Sequence, residues 1–442
     1  MYFKGLPHRQ AFFLAWPMIL SNISSPLMGI ADTAMLGHLD SSLYLGAVAI
    51  GTNILALLFW MFNFLRMSTT SFVGRALGAN NHRGLLLHLG QSVFLAVTLG
   101  LTLIIAQGVV LPVALHLMAP DPELAALAGR YCQIRLFAAP AVFVTFVLVG
   151  FFIGVQNARL PLIITVAANA LNIALDYLFI VVYDWQSDGA AIASLCAEWT
   201  ACVLAMALAY KPLLNFTASR ATLALKHLFN LADWQSLLQV NGDLFIRTAL
   251  LLLVFNFFTA QSGQLGPATL AANAIIMQLV LFQSFGLDGY AHAVEAMGAN
   301  ALGARDMPQF LRACAAATVA AVAIAMAIAA GLALLQYPLV SLFTDLPEVT
   351  AEVHRHYHWL VLVPLVSVWT YLLDGIFIGA GHTRRMRNAM LLSVFGGFVP
   401  IWLASRGLGN HGLWLSFTSF NLIRGASLAR AFYTLTARHN WF

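Results

Sequence analysis

The sequence predicts an all-α polytopic membrane protein, with twelve transmembrane helices in two six-helix lobes related by pseudo-two-fold symmetry about the membrane normal. Three observations predict it: composition, a lopsided distribution of basic residues, and an internal repeat. Of 442 residues, 61% are hydrophobic and 9% charged, against about 25% charged in a soluble domain. Hydropathy gives spans at about 10–37, 43–70, 85–111, 123–152, 159–182, 189–210, 233–260, 268–296, 309–336, 349–381, 386–405 and 411–435, each long enough for a bilayer. The first span is longer than a signal-peptide core and no small-residue cleavage site follows it, so it reads as an uncleaved helix.

The basic residues orient the chain. The N-terminus, the even-numbered connections and the C-terminus hold fifteen Lys and Arg, from Lys4 to Arg438, while the odd-numbered connections hold only Arg406. That asymmetry places both termini in the cytoplasm. It also accounts for the net charge of +5 without a nucleic-acid partner.

The repeat divides the chain. Leu45 to Asn80 aligns with Leu270 to Arg305 at an offset of 225. The same offset pairs Ala76-Leu77-Gly78-Ala79 with Ala301-Leu302-Gly303-Ala304, and Phe152-Ile153-Gly154 with Phe377-Ile378-Gly379. The lobes are residues 1–210 and 233–442, joined by a cytoplasmic linker at 211–232. Each has an even number of spans, so both insert the same way. Transporters built from repeats bind substrate between them and rock one against the other.

The first span carries the most pointed signal. Pro26 has no N–H for the carbonyl of Asn22, so the helix is expected to hinge there. Asp32 follows six residues later, still in the apolar run. An ionised Asp at mid-membrane costs roughly 2.5 to 3.5 kcal/mol on insertion scales, so it faces a polar cavity or carries a proton. The fifth span adds a polar stripe, Thr165, Asn169, Asn172 and Asp176, at steps that keep all four on one face. Interhelical hydrogen-bond glue is the structural reading of such a stripe; an ion or ligand site is the functional one. Asp32 and Asp176 both lie about 5 residues, or roughly 7–8 Å, from the outer ends of their spans. Glu198 in the sixth span, one turn after Ser194, belongs to the same cavity or pairs with Arg130 or Arg135.

The second half offers a candidate second site in Asp243, Asp288, Glu295 and Asp374. Asp243 and Arg247 stand at i, i+4, the spacing of a local ion pair. The other acids snorkel or pair with Arg66, Arg384 or Arg385. Met28, near the hinge, and the aromatic residues could hold a greasy cation. His354, His356 and His358 include an i, i+4 pair, but at the wet outer end of a span, and no metal is expected. Cys132, Cys196, Cys202 and Cys314 lack metal or disulfide spacing and read as core residues. No HExxH, Walker A or GxSxG motif occurs, so hydrolysis and ATP-driven transport lack their usual residues.

Several stretches carry a family resemblance: PLMGIADTAMLGHLD (26–40), LRMSTT (65–70), NALNIALD (169–176), LDGYAHAVEAMGANALGARD (287–306), LLDGIFIGAG (372–381) and LGNHGLWL (408–415). Across essentially its whole length the chain resembles the multidrug and toxic compound extrusion (MATE) family, in its bacterial DinF-type branch. The resemblance implies two six-helix lobes in a V shape and export of cationic drugs or dyes against an inward proton or sodium flux. It further implies a monomer in the bacterial inner membrane, with no cofactor beyond the coupling ion. It puts coupling on the first-helix acid, here Asp32, with Asn172 and Asp176 as the fifth-helix pair; other branches place coupling acids in the C-terminal lobe, where Asp243 and Asp374 stand. In this reading an ionised Asp32 favours a lipophilic cation, and protonation from outside lets the helix bend further at Pro26 and expels the drug. Sodium is the rival ion, since clustered carboxylate and amide oxygens also suit a hard cation. A lipid-linked precursor flippase would need a cationic cavity, for which Arg247 and Arg424 are the mid-span candidates. A membrane-embedded enzyme would need His292 and Asp288 to find a nucleophile or metal.

Overall fold

The apolar runs fold as helices because a chain in lipid must satisfy its backbone internally. A computed structural model of the chain describes residues 7–37, 42–118, 121–217 and 231–441. Among these there is no β-strand, and the protein is an all-α polytopic membrane protein. The helices are α1 His8–Leu36, α2 Ser42–Met61, α3 Phe64–Gly78, α4 His82–Met118, α5 Pro122–Leu136, α6 Ala139–Gly154, α7 Arg159–Asp176, α8 Gln186–Thr217, α9 Leu231–Gln264, α10 Pro267–Gly303, α11 Met307–Leu334, the short α12 Gln336–Ser341, α13 Pro347–Ala380, α14 Thr383–Ser393, α15 Val399–Ser405 and α16 Asn410–Ala437. A π-helical segment, Tyr177–Val182, prolongs α7, and another, Val394–Phe398, joins α14 to α15.

Among the described residues nine helices are long and apolar enough to span a membrane, or ten if the α5–α6 pair, bent by 52°, is one span. Each falls on an expected hydropathy segment. At the expected linker 211–232, α8 stays helical through Pro212 to Thr217 and α9 begins at Leu231; residues 218–230 lie outside the described residues.

The chain divides into two compact units, one of residues 20–238 and the other of residues 239–442 with the start of α1 up to Ile19. Internally, the two units repeat one another in backbone detail. In the first, α3 ends at Asn80 with φ 53°, and the N–H of Asn81 returns to the carbonyl of Ala76 at 2.8 Å. In the second, 225 residues on, α10 ends at Arg305 with φ 56°, and Asp306 returns to Ala301 at 2.9 Å. Both are left-handed helix stops of the Schellman kind. The ends of α6 and α13 match as well: Gln156 has φ 61° and Gly381 φ 74°, with Asn157 bonded to Phe152 and His382 to Phe377.

Helix packing follows the same offset. A Cβ on Gly150 of α6 would run into the carbonyl of Arg66 on α3, and one on Gly154 into the side chain of Val73, with the carbonyl of Thr70 at 3.1 Å. A Cβ on Gly375 or Gly379 of α13 would run into those of Ala291 and Glu295 on α10. Small residues four apart let two membrane helices approach backbone to backbone, where dispersion is the main attraction. The repeat is not perfect: the first unit breaks its span between α2 and α3 and bends between α5 and α6, whereas α10 and α13 run through.

Gly150→Val and Gly375→Val should each cost about 1–3 kcal/mol through overpacking. Gly108→Val, with nothing within 4 Å of its Cβ position, should cost far less. Thermal unfolding in detergent checks this; equal midpoints for all three would remove the crossing from the account.

Candidate functional site

The stripe on α7 is where the sequence placed the site, and Thr165, Asn169 and Asn172 each meet another helix. Ser21 of α1 donates its hydroxyl to Thr165 Oγ1 at 2.9 Å, and Thr165 donates on to the carbonyl of Pro161 at 3.0 Å. Asn169 Nδ2 donates to Ser24 Oγ of α1 at 3.1 Å, and Ser24 donates to the carbonyl of Ser21 at 2.8 Å. On the other side, Asn172 Nδ2 donates to Ser194 Oγ of α8 at 3.2 Å. Asn172 Oδ1 is buried and, among the described residues, accepts no hydrogen bond. Asp176 closes the stripe with its side chain fully buried. Immediately after it the helix widens into the π segment Tyr177–Val182, a local geometry frequent at functional sites.

Two of these bonds set a register. Ser21 pairs with Thr165 and Ser24 with Asn169, at separations of 144 and 145 residues. The helices are therefore parallel here, and extending the register by two turns brings position 32 of α1 level with Asp176. The side chain of Asp32 itself lies outside the described residues. Pro26 does not interrupt α1, which runs as one helix from His8 to Leu36; the missing N–H removes one intrahelical bond, and the bonds on either side keep the turn. Met28 is half-buried in the same stretch.

Other candidate acids have found cationic partners. Glu198 of α8 bonds Arg135 of α5 at 2.9 Å, and Arg130 is taken by Asp188 at 2.6 Å. Glu198 thus makes one of the two arginine pairs expected for it. The expected Asp243–Arg247 pair does not form. Asp243 instead accepts from Arg387 of α14 at 2.7 Å and from the hydroxyl of Thr383 at 3.1 Å. Arg247 reaches across to Asp374 of α13, and Arg424 of α16 bonds the same Oδ2. Asp374 thus neither snorkels nor meets Arg384 or Arg385: a buried carboxylate needs a counter-charge at contact distance, and two adjoining helices supply one each. Asp288 lies within electrostatic reach of Tyr371, and the Ser284 hydroxyl donates to the carbonyl of Leu281 at 2.7 Å. Glu295 is buried, with His292 Nδ1 at 3.4 Å.

The outer histidines separate despite their spacing. His354 turns to Gln336 and Tyr337 beside α12, while His356 and His358 pack on the ring of His411 from α16, with ring centres 4.3 and 5.6 Å away. Among the described residues no group of three or more His, Cys, Asp or Glu could hold a metal ion.

Sequence reasoning missed Ser21 and Ser24, the partners that fix the α1–α7 register. Their signal was available: hydroxyls three residues apart within the run Ser21-Asn22-Ile23-Ser24-Ser25 of a membrane span, matching a polar stripe elsewhere. It also missed Arg387 and Tyr371, whose relevance depends on contacts between distant helices.

The family model described as MatE matches residues 17–178 and again 244–403, once in each half. DNA damage-inducible protein F of Escherichia coli (strain K12) is 37% identical over 442 residues, covering 100% of this chain and 95% of the relative. Multidrug and toxin extrusion protein 1 of Oryctolagus cuniculus is 26% identical, covering 98% of this chain and 75% of its own. Two solved structures share the fold at 19% identity. MATE in the bent conformation has a TM-score of 0.87 over 98% of this chain and 96% of that one. MATE in the straight conformation has 0.86 over 99% and 98%.

The α1–α7 contact can be weighed with a double-mutant cycle on Ser24→Ala and Asn169→Ala. The expected coupling is about 0.6 kcal/mol, the usual size for a side-chain hydrogen bond between membrane helices, measured by unfolding in mixed micelles. Additive losses would mean that the two side chains do not stabilise the register.

Proposed function

We propose that this chain, which belongs to the MATE family, is a multidrug efflux transporter that exports cationic amphiphiles in exchange for protons by alternating access, with Asp32 as the coupling carboxylate. The observation that carries the proposal is the α1–α7 register, which brings position 32 level with the buried Asp176 beside the amide of Asn172. Two carboxylates at one depth in a low-dielectric environment resist being ionised together. A proton and a lipophilic cation then compete for the same charge, and that competition is the exchange.

The acids of the C-terminal unit favour this assignment by their own arrangement. Asp243 is bonded to Arg387, and Asp374 to Arg247 and Arg424. Both oxygens of Asp243 and one oxygen of Asp374 are already engaged, which weakens the case for sodium there. A further part of the reading is that α1 bends at Pro26, where the proline leaves one backbone carbonyl without its intrahelical donor, when Asp32 is protonated. The lysine and arginine bias supports insertion in the bacterial inner membrane with both termini in the cytoplasm, and the chain acts as a monomer with no cofactor beyond the coupling ion.

Reconstitution in liposomes, with pH and sodium gradients imposed separately, tests the proposal. Ethidium efflux should follow the pH gradient, and Asp32→Asn should abolish it while expression and folding are kept. Asp176→Asn should lower it at least tenfold. Efflux driven by a sodium gradient alone, or normal efflux by Asp32→Asn, would refute proton coupling through this residue.

A further inference from the structure

The C-terminal unit holds an excess positive charge that the proposed exchange does not use. Arg247 near the middle of α9 and Arg424 near the middle of α16 are both more than nine-tenths buried, and both bond the same oxygen of Asp374. A guanidinium has five N–H donors, yet among the described residues each uses only one. Arg247 Nε is buried without an acceptor, and Asp374 Oδ1 is buried without a donor. The charged and ionisable groups acting on Arg424 are Asp374, Arg247 and Tyr371; within contact distance two cations share one anion, and Asp288 faces the group from the far side of Tyr371. Inside a membrane an uncompensated cation is costly.

Unmet polar groups also occur on the same helices. Thr248, next to Arg247 on α9, has a buried hydroxyl with no hydrogen-bond partner among the described residues, and Gln283 of α10 has both ends of its buried amide unsatisfied. Buried polar groups in folded proteins are nearly always paired, so the spare guanidinium donors of Arg247 and Arg424 suit an incoming acceptor. Apolar surface adjoins them. Leu251, one turn past Arg247, and Phe420, one turn before Arg424, belong to or pack on the large hydrophobic cluster of this unit, as do Leu279 and Val280, one turn before Gln283.

We propose that Arg247 and Arg424, bridged by Asp374, form a binding site for the carboxylate of an amphiphilic anion or zwitterion, whose apolar part lies against the Phe420 side of the cluster. Planar guanidinium groups match a carboxylate in shape as well as charge. Asp374 is the resident carboxylate, and the ligand takes the donors that Asp374 leaves unused. The site is independent of Asp32, and its occupancy does not require proton exchange.

The test uses the full chain in lipid nanodiscs with octanoate as probe, and octanol, octyltrimethylammonium and sodium chloride as comparisons. Octanoate should raise the thermal unfolding midpoint more than any of the three at equal concentration. Its apparent Kd should weaken at least tenfold in Arg424→Gln and in Arg247→Gln, each of which keeps one arginine on Asp374 and so a balanced charge. In Asp374→Asn octanoate should bind more tightly, and formate should recover part of any stability that variant loses. An octanol shift equal to that of octanoate, affinities within twofold of the parent in both arginine variants, or saturation of the site by chloride alone would each overturn the proposal.

Discussion

Two side-chain hydrogen bonds, Ser21 to Thr165 and Asn169 to Ser24, fix how the first helix of the first unit lies along the fifth span. In water such bonds would be exchanged with solvent at little net gain. In a bilayer the alternative partner is absent, and the bonds select one register out of the several that apolar packing alone would allow. A slip of one residue would turn α1 by about 100° relative to the stripe and part Ser21 and Ser24 from Thr165 and Asn169.

Behind that contact stands a duplicated scaffold whose two copies have kept their closest approaches. Gly150 and Gly154 against α3, and Gly375 and Gly379 against α10, place backbone on backbone at equivalent positions. What differs is the side-chain content of the equivalents: Arg66 in one unit stands where the other has Ala291, and Thr70 where the other has Glu295. The copies share a frame and have diverged in charge. That divergence matches the distribution of acids, with an amide and hydroxyl stripe in the first unit and arginine-tied carboxylates in the second.

How much of this was legible beforehand follows from the range of the interactions. Helices were legible because apolar runs and bilayer thickness leave little choice, so α7 with its π segment was expected at 159–182 and is found there. The stripe was legible because Thr165, Asn169, Asn172 and Asp176 are spaced by a local rule. Pairings across the bundle were not. Arg247 stands at ideal spacing for Asp243, four residues away, yet bonds Asp374, 127 residues away, while Asp243 bonds Arg387. An i, i+4 ion pair contributes only a few tenths of a kcal/mol, and a buried carboxylate lacking a counter-ion costs several. The larger penalty decides, and it depends on which helices pack together. The break in the second span between Met61 and Phe64 was equally invisible, since no proline or glycine marks it and its repeat counterpart in α10 is continuous.

The geometry of α1 bears on how a proton could move a helix without unlocking it. Ser21 and Ser24, which tie α1 to α7, lie on one side of Pro26, and Asp32 lies on the other. At 1.5 Å per residue the carboxylate position is about 9 Å beyond the proline. A bend of roughly 20° there would displace it by about 3 Å, the length of one hydrogen bond, while the tie at Ser24 stays made. The helix loses no backbone bond in such a motion, because Pro26 has already removed the one that would resist it. Under the proposed coupling, a change of charge at position 32 would act on a lever whose fulcrum is built into the sequence and whose fixed arm is held by the stripe.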